Sequence, residues 1–360
     1  MAIKDYGKMR NGGRVNKYAI FIASTQNYLG YTNALLNSIE KRKLYEGCDL
    51  TVYLMYFSAV DKGTFSPAYL KDLSKFSYKI TPIEMNRNDV GCPENFNTVE
   101  FVKRARFHYI MKYGFDYDVI CLLDADMYIV SPDFMQLFDL VNGTNKCIAC
   151  NERYKWVIGD NIIYENKPIF ENPVKMYAMH CSIPIILNLN QWESVFEYYL
   201  KISFHGKQIK NGLHCGIGDI FSWNISVYKN NKQRDIVVFP METMCQVHHT
   251  THRPGTYPVV EDDYWYTWAG DKIYSIQGRI ANSKYIDASL TIMANEFKIQ
   301  NRTDYEKMAS QVKPGLIAIL KEWYNLNFNC KLILSDYTAY NYEWDEIKRK
   351  VLICQQKTDI

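Results

Sequence analysis

Two aspartates, Asp124 and Asp126, interrupt the otherwise apolar run VICLLDADMYIV in a chain of 360 residues. If the run is one strand, positions i and i+2 face the same side, so the carboxylates converge while small Ala125 faces away. Like charges at the end of a buried strand repel each other and lose hydration. The cost is on the order of several kcal/mol unless something neutralises them. A hard divalent cation does so, because Mg²⁺ and Mn²⁺ prefer oxygen ligands and tolerate bridging to a diphosphate. The alternative is a pair of exposed turn aspartates ending the strand. The apolar run resumes at once, which argues for a strand.

Four other groups of residues could do chemistry. Thr25, Gln26, Asn27 and Tyr28 follow the first apolar run; amide hydrogen bonds and a stacked ring there would suit a nucleobase, and a capping turn would use the same types. Lys103, Arg104 and Arg106 lie on a helical segment just before the aspartates. Positions 103 and 106 share a helix face, so two cations could approach one anion, unless the face is merely solvated. Gly218-Asp219 opens a later helix, which the pair can simply cap. CQVHHTTHRPG (245–255) holds three histidines within five residues. In extended chain His248 and His249 face opposite ways, so only one can point inward.

The elements that must position these groups are read from apolar spacing. YAIFIAS (18–24), DLTVYLMYF (49–57), KITPIEM (79–85) and DVICLLDADMYIV (118–130) have strand character,. Between them lie helical segments starting near Gly30, at SPAYLKDLSKF (66–76) and at TVEFVKRARFHYIMKYG (98–114),. This alternation predicts an α/β fold with a mostly parallel sheet, whose ligand sits at the carboxyl ends of the strands. KCIACNE reads as a strand, 153–175 as a polar stretch, MHCSIPIILNL as a strand and QWESVFEYYLKIS as a helix. The domain spans 18–285, after a polar tail over 1–17. Residues 286–360 read as a helical extension, with Trp344, Ile347 and Val351 spaced for one face,.

Composition narrows the function classes. Hydrophobic residues at 48% and charged residues at 22% fit a globular chain with a real core,. A scattered net charge of +3 gives no basic patch for nucleic acid,. The polar start lacks an apolar signal core, no run reaches membrane-span length, and ten cysteines lie at irregular intervals,. Reduced, buried thiols and a cytoplasmic setting are therefore expected. Cys147 and Cys150 form a C-x-x-C on a strand, where i and i+3 face opposite sides and make a poor metal site. The sequons at Asn142, Asn224 and Asn301 carry little weight without secretion,.

Taken in order, a strand, T-x-N-Y, a helix bearing K-R-A-R and then LLDADMYIVSPDFMQLFDL resemble the GT-A glycosyltransferases, above all the glycogenin-like family 8. The resemblance covers about residues 18–255. It implies a GT-A fold, Rossmann-like, with the mostly parallel central sheet flanked by helices. It also implies transfer of a sugar from a nucleoside-diphosphate sugar, a UDP-sugar by expectation, to a hydroxyl of a glycan, glycoconjugate or protein acceptor with retention. Asp124, Asp126 and His248 would then hold Mn²⁺ or Mg²⁺. Ser24, Thr25, Asn27, Tyr28, Arg104, Arg106, Asp124, Ala125, Asp126 and Arg253 would contact the donor, and Asp219 would lie beside the anomeric carbon. The chain departs from the family at Ile220, where a glutamine is usual, at His252-Arg253-Pro254 and at His180-Cys181-Ser182. The last of these changes points to an altered sugar or acceptor pocket. Two rivals are a haloacid-dehalogenase-like phosphohydrolase and an inactive sugar-nucleotide-binding protein. The first expects Thr or Val at the position of Tyr128 and Asp at that of Trp223, and the intact D-x-D and histidine cluster argue against the second.

Overall fold

The computed structural model of the chain describes residues 14–59, 61–93, 96–158, 161–179, 184–210, 213–244, 259–261, 264–266, 271–277 and Lys307. The start of the polar tail and, Lys307 apart, the expected helical extension lie outside the described residues.

Strands and helices alternate through the first half. β1 (Lys17–Thr25) leads to α1 (Leu29–Lys41), β2 (Asp49–Phe57) to α2 (Pro67–Asp72) and β3 (Lys79–Glu84) to α3 (Thr98–Tyr113). β4 (Val119–Asp124) is followed by β5 (Met127–Ile129) and α4 (Gln136–Val141). Local chemistry sets these boundaries. Ser66 accepts a hydrogen bond from the Tyr69 amide with Pro67 in the first turn, and Asn97 with Glu100 closes a capping box on α3,.

The second half runs β6 (Cys147–Ile158), β7 (Ile162–Tyr164), β8 (Lys167–Pro168), β9 (Val174–Met179), β10 (Ile185–Leu187) and α5 (Leu189–His205). β11 (Lys207–Lys210), β12 (Leu213–Gly216), α6 (Asp219–Lys229), β13 (Ile236–Pro240) and α7 (Met241–Met244) follow. β14 (Val259–Glu261), β15 (Tyr264–Tyr266), β16 (Lys272–Ile273) and β17 (Ser275–Gln277) come last. The stretch 153–175 is thus more ordered than its polarity indicates. It contains the end of β6 and a β7–β8 hairpin whose turn, Glu165-Asn166, has φ of 52° and 60°. A turn with positive φ at both central residues normally announces itself by glycine, which this one lacks.

The central sheet has the order β13-β6-β10-β4-β1-β2-β3, with β9 also on β6. β10 runs antiparallel to both neighbours, whereas β13–β6, β4–β1, β1–β2 and β2–β3 are parallel pairs. The fold class is the expected one, a mostly parallel sheet flanked by helices. Its strands β1, β2 and β4 read as unbroken apolar runs because both faces are buried,. Ile20, Ile22, Val52, Leu54, Cys121 and Leu123 pack with α1 and α4 on one face. Phe21, Tyr53, Met55, Ile120 and Leu122 pack with α3, α5 and α6 on the other. Cys147 and Cys150 fall in these opposite layers, so the C-x-x-C is two separate buried thiols.

α5 ends where Gly206 lets the chain press against Ile202 and Ile217, leaving no space for a β-carbon. Ile217 is the residue before the Gly218-Asp219 pair, so this contact seats the start of α6. Gly206→Ala is expected to lower stability by about 1–3 kcal/mol, the usual penalty of overpacking. Urea unfolding checks it, and an unchanged midpoint would show that the α5 terminus yields freely.

Candidate active site

The aspartates do not lie on one continuous strand. β4 ends at Asp124, Ala125 and Asp126 form a turn, and β5 leaves the central sheet to pair with β17. The apolar run resumes because β5 is buried in a second, two-stranded sheet. The same-side spacing expected of a strand therefore does not apply. The two carboxylates sit instead in unequal surroundings. The Asp124 side chain is one-fifth exposed, while Asp126 is 6% exposed and Ala125 is buried. Asp124 pairs in register with Ala23 of β1, which puts the turn at the carboxyl edge of the parallel strands. Ligands of such sheets bind at that edge.

α3 descends from the same edge and brings Lys103 and Arg106 to the site. Arg106 is 1% exposed, and its guanidinium donates to Asp124 Oδ1 at 2.6 Å. Its other terminal nitrogen lies 4.0 Å from Asp219 Oδ2, and Lys103 Nζ lies 3.8 Å from the same oxygen. Asp219 is the first residue of α6, close to the partial positive charge of the helix N-terminus,. Elements far apart in sequence thus converge on one buried guanidinium. Arg104 does not join them. It is 3% exposed and donates to the carbonyls of Glu100, Ser203 and Ile217. It was expected against the donor, but its place on α3 points it at the α5 terminus and the lead-in to α6, where it holds backbone together. Lys103 is the better second cation, as its shared face with position 106 already implied.

The loop after β1 forms a single 3₁₀ turn over Gln26–Tyr28. Neither Thr25 nor Tyr28 makes a side-chain cap bond, so the capping alternative finds no hydrogen bond here. The Thr25 hydroxyl instead donates to Asn27 Oδ1 at 2.6 Å. Ser24 is a correction. It is 2% exposed and shares a 2.7 Å hydrogen bond with Thr32 of α1, so its hydroxyl faces inward rather than toward a ligand. Asn27 and Tyr28 are half-buried, and the Tyr28 ring lies 5.7 Å from that of Tyr31. Gln26, passed over as a contact, is the unusual member. It is 3% exposed under the backbone of Gly63, and neither amide atom has a hydrogen-bond partner among the described residues. Its only sequence signal was membership of the polar T-Q-N-Y turn.

Asn224 fixes the other flank of the site. Its side-chain amide accepts from the Met179 N–H at 2.9 Å and donates to the Met179 carbonyl at 2.8 Å. Buried to 1% exposure, this sequon asparagine has its amide taken up internally by the end of β9. His180, Cys181, Ser182, His248, His249 and Arg253 lie outside the described residues. Among the described residues no group of three His, Cys, Asp or Glu side chains is arranged to hold a metal ion. No helix there is long and apolar enough to cross a membrane.

No protein-family model matches the chain, and comparison with curated proteins gives no match. Among solved structures it is similar to the apo bifunctional glycosyltransferase WbbM, with 16% identity over 80% of this chain and 52% of that one at a TM-score of 0.45. It is also similar to the galactosyltransferase LgtC in complex with donor and acceptor sugar analogs, with 14% identity over 62% of this chain and 74% of that one at 0.41. A 4-diphosphocytidyl-2C-methyl-D-erythritol synthase from Anaerococcus prevotii DSM 20548 matches with 12% identity over 63% of this chain and 87% of that one at 0.37. The chain spans about half the length of the first of these. Scores of this size assign no chemistry, which must come from the site's own residues.

The two arginines should separate on mutation. Arg106→Met removes the partner of Asp124 and is expected to reduce ligand binding more than stability, the lost charged hydrogen bond being worth on the order of 2 kcal/mol. Arg104→Met strands three carbonyls and should lower the unfolding midpoint while leaving ligand affinity of the folded protein unchanged. Urea unfolding combined with calorimetric titration of a nucleoside diphosphate in the presence of Mn²⁺ checks both; equal effects from the two variants would contradict the division of roles.

Proposed function

We propose that the chain is a metal-dependent glycosyltransferase that moves a sugar from a nucleoside-diphosphate sugar, with a UDP-sugar as the expected donor, to a hydroxyl acceptor. The observation that carries this reading is the buried Arg106 shared between Asp124 and Asp219 at the carboxyl edge of the sheet. Asp124 and Asp219 stand beside Arg106 and Lys103, with Asp126 next in the same turn, and carboxylates so placed repel a bare diphosphate,. Binding a diphosphate there calls for a further cation.

The donor chemistry fits such an ion. Asp124 and Asp126 offer hard carboxylate oxygens in one turn, which suits Mg²⁺ or Mn²⁺, and His248 is the third ligand that the family resemblance supplies. A bound divalent ion would act as Lewis acid and template for the departing diphosphate. Arg106 keeps Asp124 oriented through a charge-assisted hydrogen bond,. Lys103 and Arg106 together hold the Asp219 carboxylate, which stabilises positive charge developing at the anomeric carbon or positions the acceptor hydroxyl. Arg253 serves as a phosphate contact, and Asn27 and Tyr28 receive the base and ribose. Retention of configuration follows the same resemblance.

Two experiments test this reading. Hydrolysis of UDP-sugars with Mn²⁺ should be detectable in the wild type and fall at least about 100-fold in Asp126→Ala, since an essential metal ligand is lost. Turnover of phosphomonoesters, with none of sugar nucleotides, would instead favour a phosphohydrolase. Gln26 gives an independent arm. A buried amide without a partner destabilises by about 1–3 kcal/mol. Gln26→Met should therefore raise the melting temperature of the ligand-free protein while weakening UDP binding by calorimetry. Unchanged UDP affinity would remove Gln26 from the donor site.

A further inference from the structure

We infer that Arg87, at the carboxyl edge of β2 and β3, anchors an oxyanion site that takes a phosphate or carboxylate group of a ligand. The inference goes beyond glycosyl transfer and uses none of the Asp124 cluster. Arg87 lies three residues past the end of β3 and is half-buried. Its guanidinium carbon stands over two rings, 4.9 Å from the centroid of Phe101 and 5.7 Å from that of Phe57. The rings are themselves 4.6 Å apart. Phe57 is the last residue of β2 and Phe101 lies near the start of α3. A strand end and a helix start thus build one aromatic seat for the cation.

What the guanidinium lacks is an acceptor of matching strength. Among the described residues its one hydrogen-bond acceptor is the Cys92 sulfur, 3.5 Å from Nη1, and a thiol accepts only weakly,. No carboxylate there lies within ion-pair distance of it. The acids of the surrounding segments are engaged elsewhere. Asp89 accepts from the Tyr109 hydroxyl at 2.9 Å, Asp61 accepts from the Thr98 hydroxyl at 2.9 Å, and Glu100 closes the capping box with Asn97. Arg106 and Arg104 on α3 make the contrast plain, since one has Asp124 and the other three carbonyls.

The chain around Arg87 is tied so that the cation stays in place. The Asn86 N–H donates to the Tyr109 hydroxyl at 2.7 Å, and Asn86 Oδ1 accepts from the Asn88 N–H at 2.9 Å. The Cys92 N–H returns to the Arg87 carbonyl at 3.1 Å, with Gly91 at φ 59° turning the chain back,. A guanidinium held flat in this way loses little further freedom when an anion arrives. Its remaining N–H groups match two oxygens of one phosphate or carboxylate. Phe57 stands opposite Thr25 in the β1–β2 register, so the seat borders the Thr25–Tyr28 turn on the same sheet edge.

An arginine that merely covered the two rings would bind no anion, and a methionine would serve as well. The test is therefore anion binding to the full chain, read as the rise in melting temperature with inorganic phosphate or acetate at constant ionic strength. Arg87→Met, which keeps a long apolar stem on the rings, is expected to raise the apparent Kd of the stabilising anion at least about tenfold. Arg87→Lys should raise it about fivefold, because a point charge cannot form the paired bonds of the fork. Lys112→Met, which removes an exposed cation of α3, should leave it unchanged. An Arg87-dependent response to phosphate supports the site with a phosphorylated ligand, and one to acetate supports it with a carboxylated ligand. A response to neither anion that depends on Arg87 would overturn the site. An equal loss in Lys112→Met would also overturn it, as general charge screening.

Discussion

The arrangement depends on one buried cation. Arg106 is almost wholly withdrawn from water, and a guanidinium so placed is tolerable only if carboxylates meet it with good geometry,. Asp124 does so at 2.6 Å, and Asp219 stands within 4.0 Å on the other side. The first belongs to the end of a central strand, the second to the start of a helix 95 positions later. A parallel sheet brings both to its carboxyl edge without either being near the other in sequence. Folding the sheet and assembling the acid cluster are then one event, since misplacing α3 would separate Arg106 from Asp124 and Asp219.

The neighbouring arginine shows how the same helix serves structure and chemistry. Arg104 sits two positions away, so it points to a different side of α3. There it ties together the end of α5 and the residue before Gly218. That contact and the glycine at position 206 set where α6 begins, and hence where Asp219 stands. Asn224, further along α6, fastens the same helix to β9 through both polar groups of its amide. Asp219 is thereby held by backbone and side-chain bonds on both sides of its helix, which is what a preorganised charge requires.

Much of this was legible in the residues, for identifiable reasons. Buried parallel strands are apolar throughout, so β1, β2 and β4 stand out as runs, and β2 matches its expected bounds at 49–57,. The Ser66-Pro67 pair is local chemistry and was equally visible, whereas the capping pair Asn97 and Glu100 emerges only in the structure. The turn at Ala125-Asp126 was hidden because the residues after it are buried by β17, nearly 150 positions away, and burial alone looks like continuation of a strand. The role of Arg104 was hidden because its acceptors are backbone carbonyls, which carry no residue identity. The β7–β8 hairpin was hidden because Glu165 and Asn166 take left-handed conformations without a glycine to announce them.

The turn changes what the aspartate pair can be. On one strand, two side chains two positions apart would have matched surroundings, and either could replace the other. In the turn, Asp124 faces Arg106 and keeps one-fifth of its side-chain surface in contact with solvent, while Asp126 is nearly enclosed. The guanidinium already compensates part of the Asp124 charge, so that residue suits a contact shared among several partners. Asp126 is the more enclosed of the two, so its charge depends more on the groups packed around it,. The two acids are therefore ordered by burial, with Asp126 the inner one. A bare D-x-D spacing carries no such order; it arises because β5 abandons the central sheet immediately after the second acid.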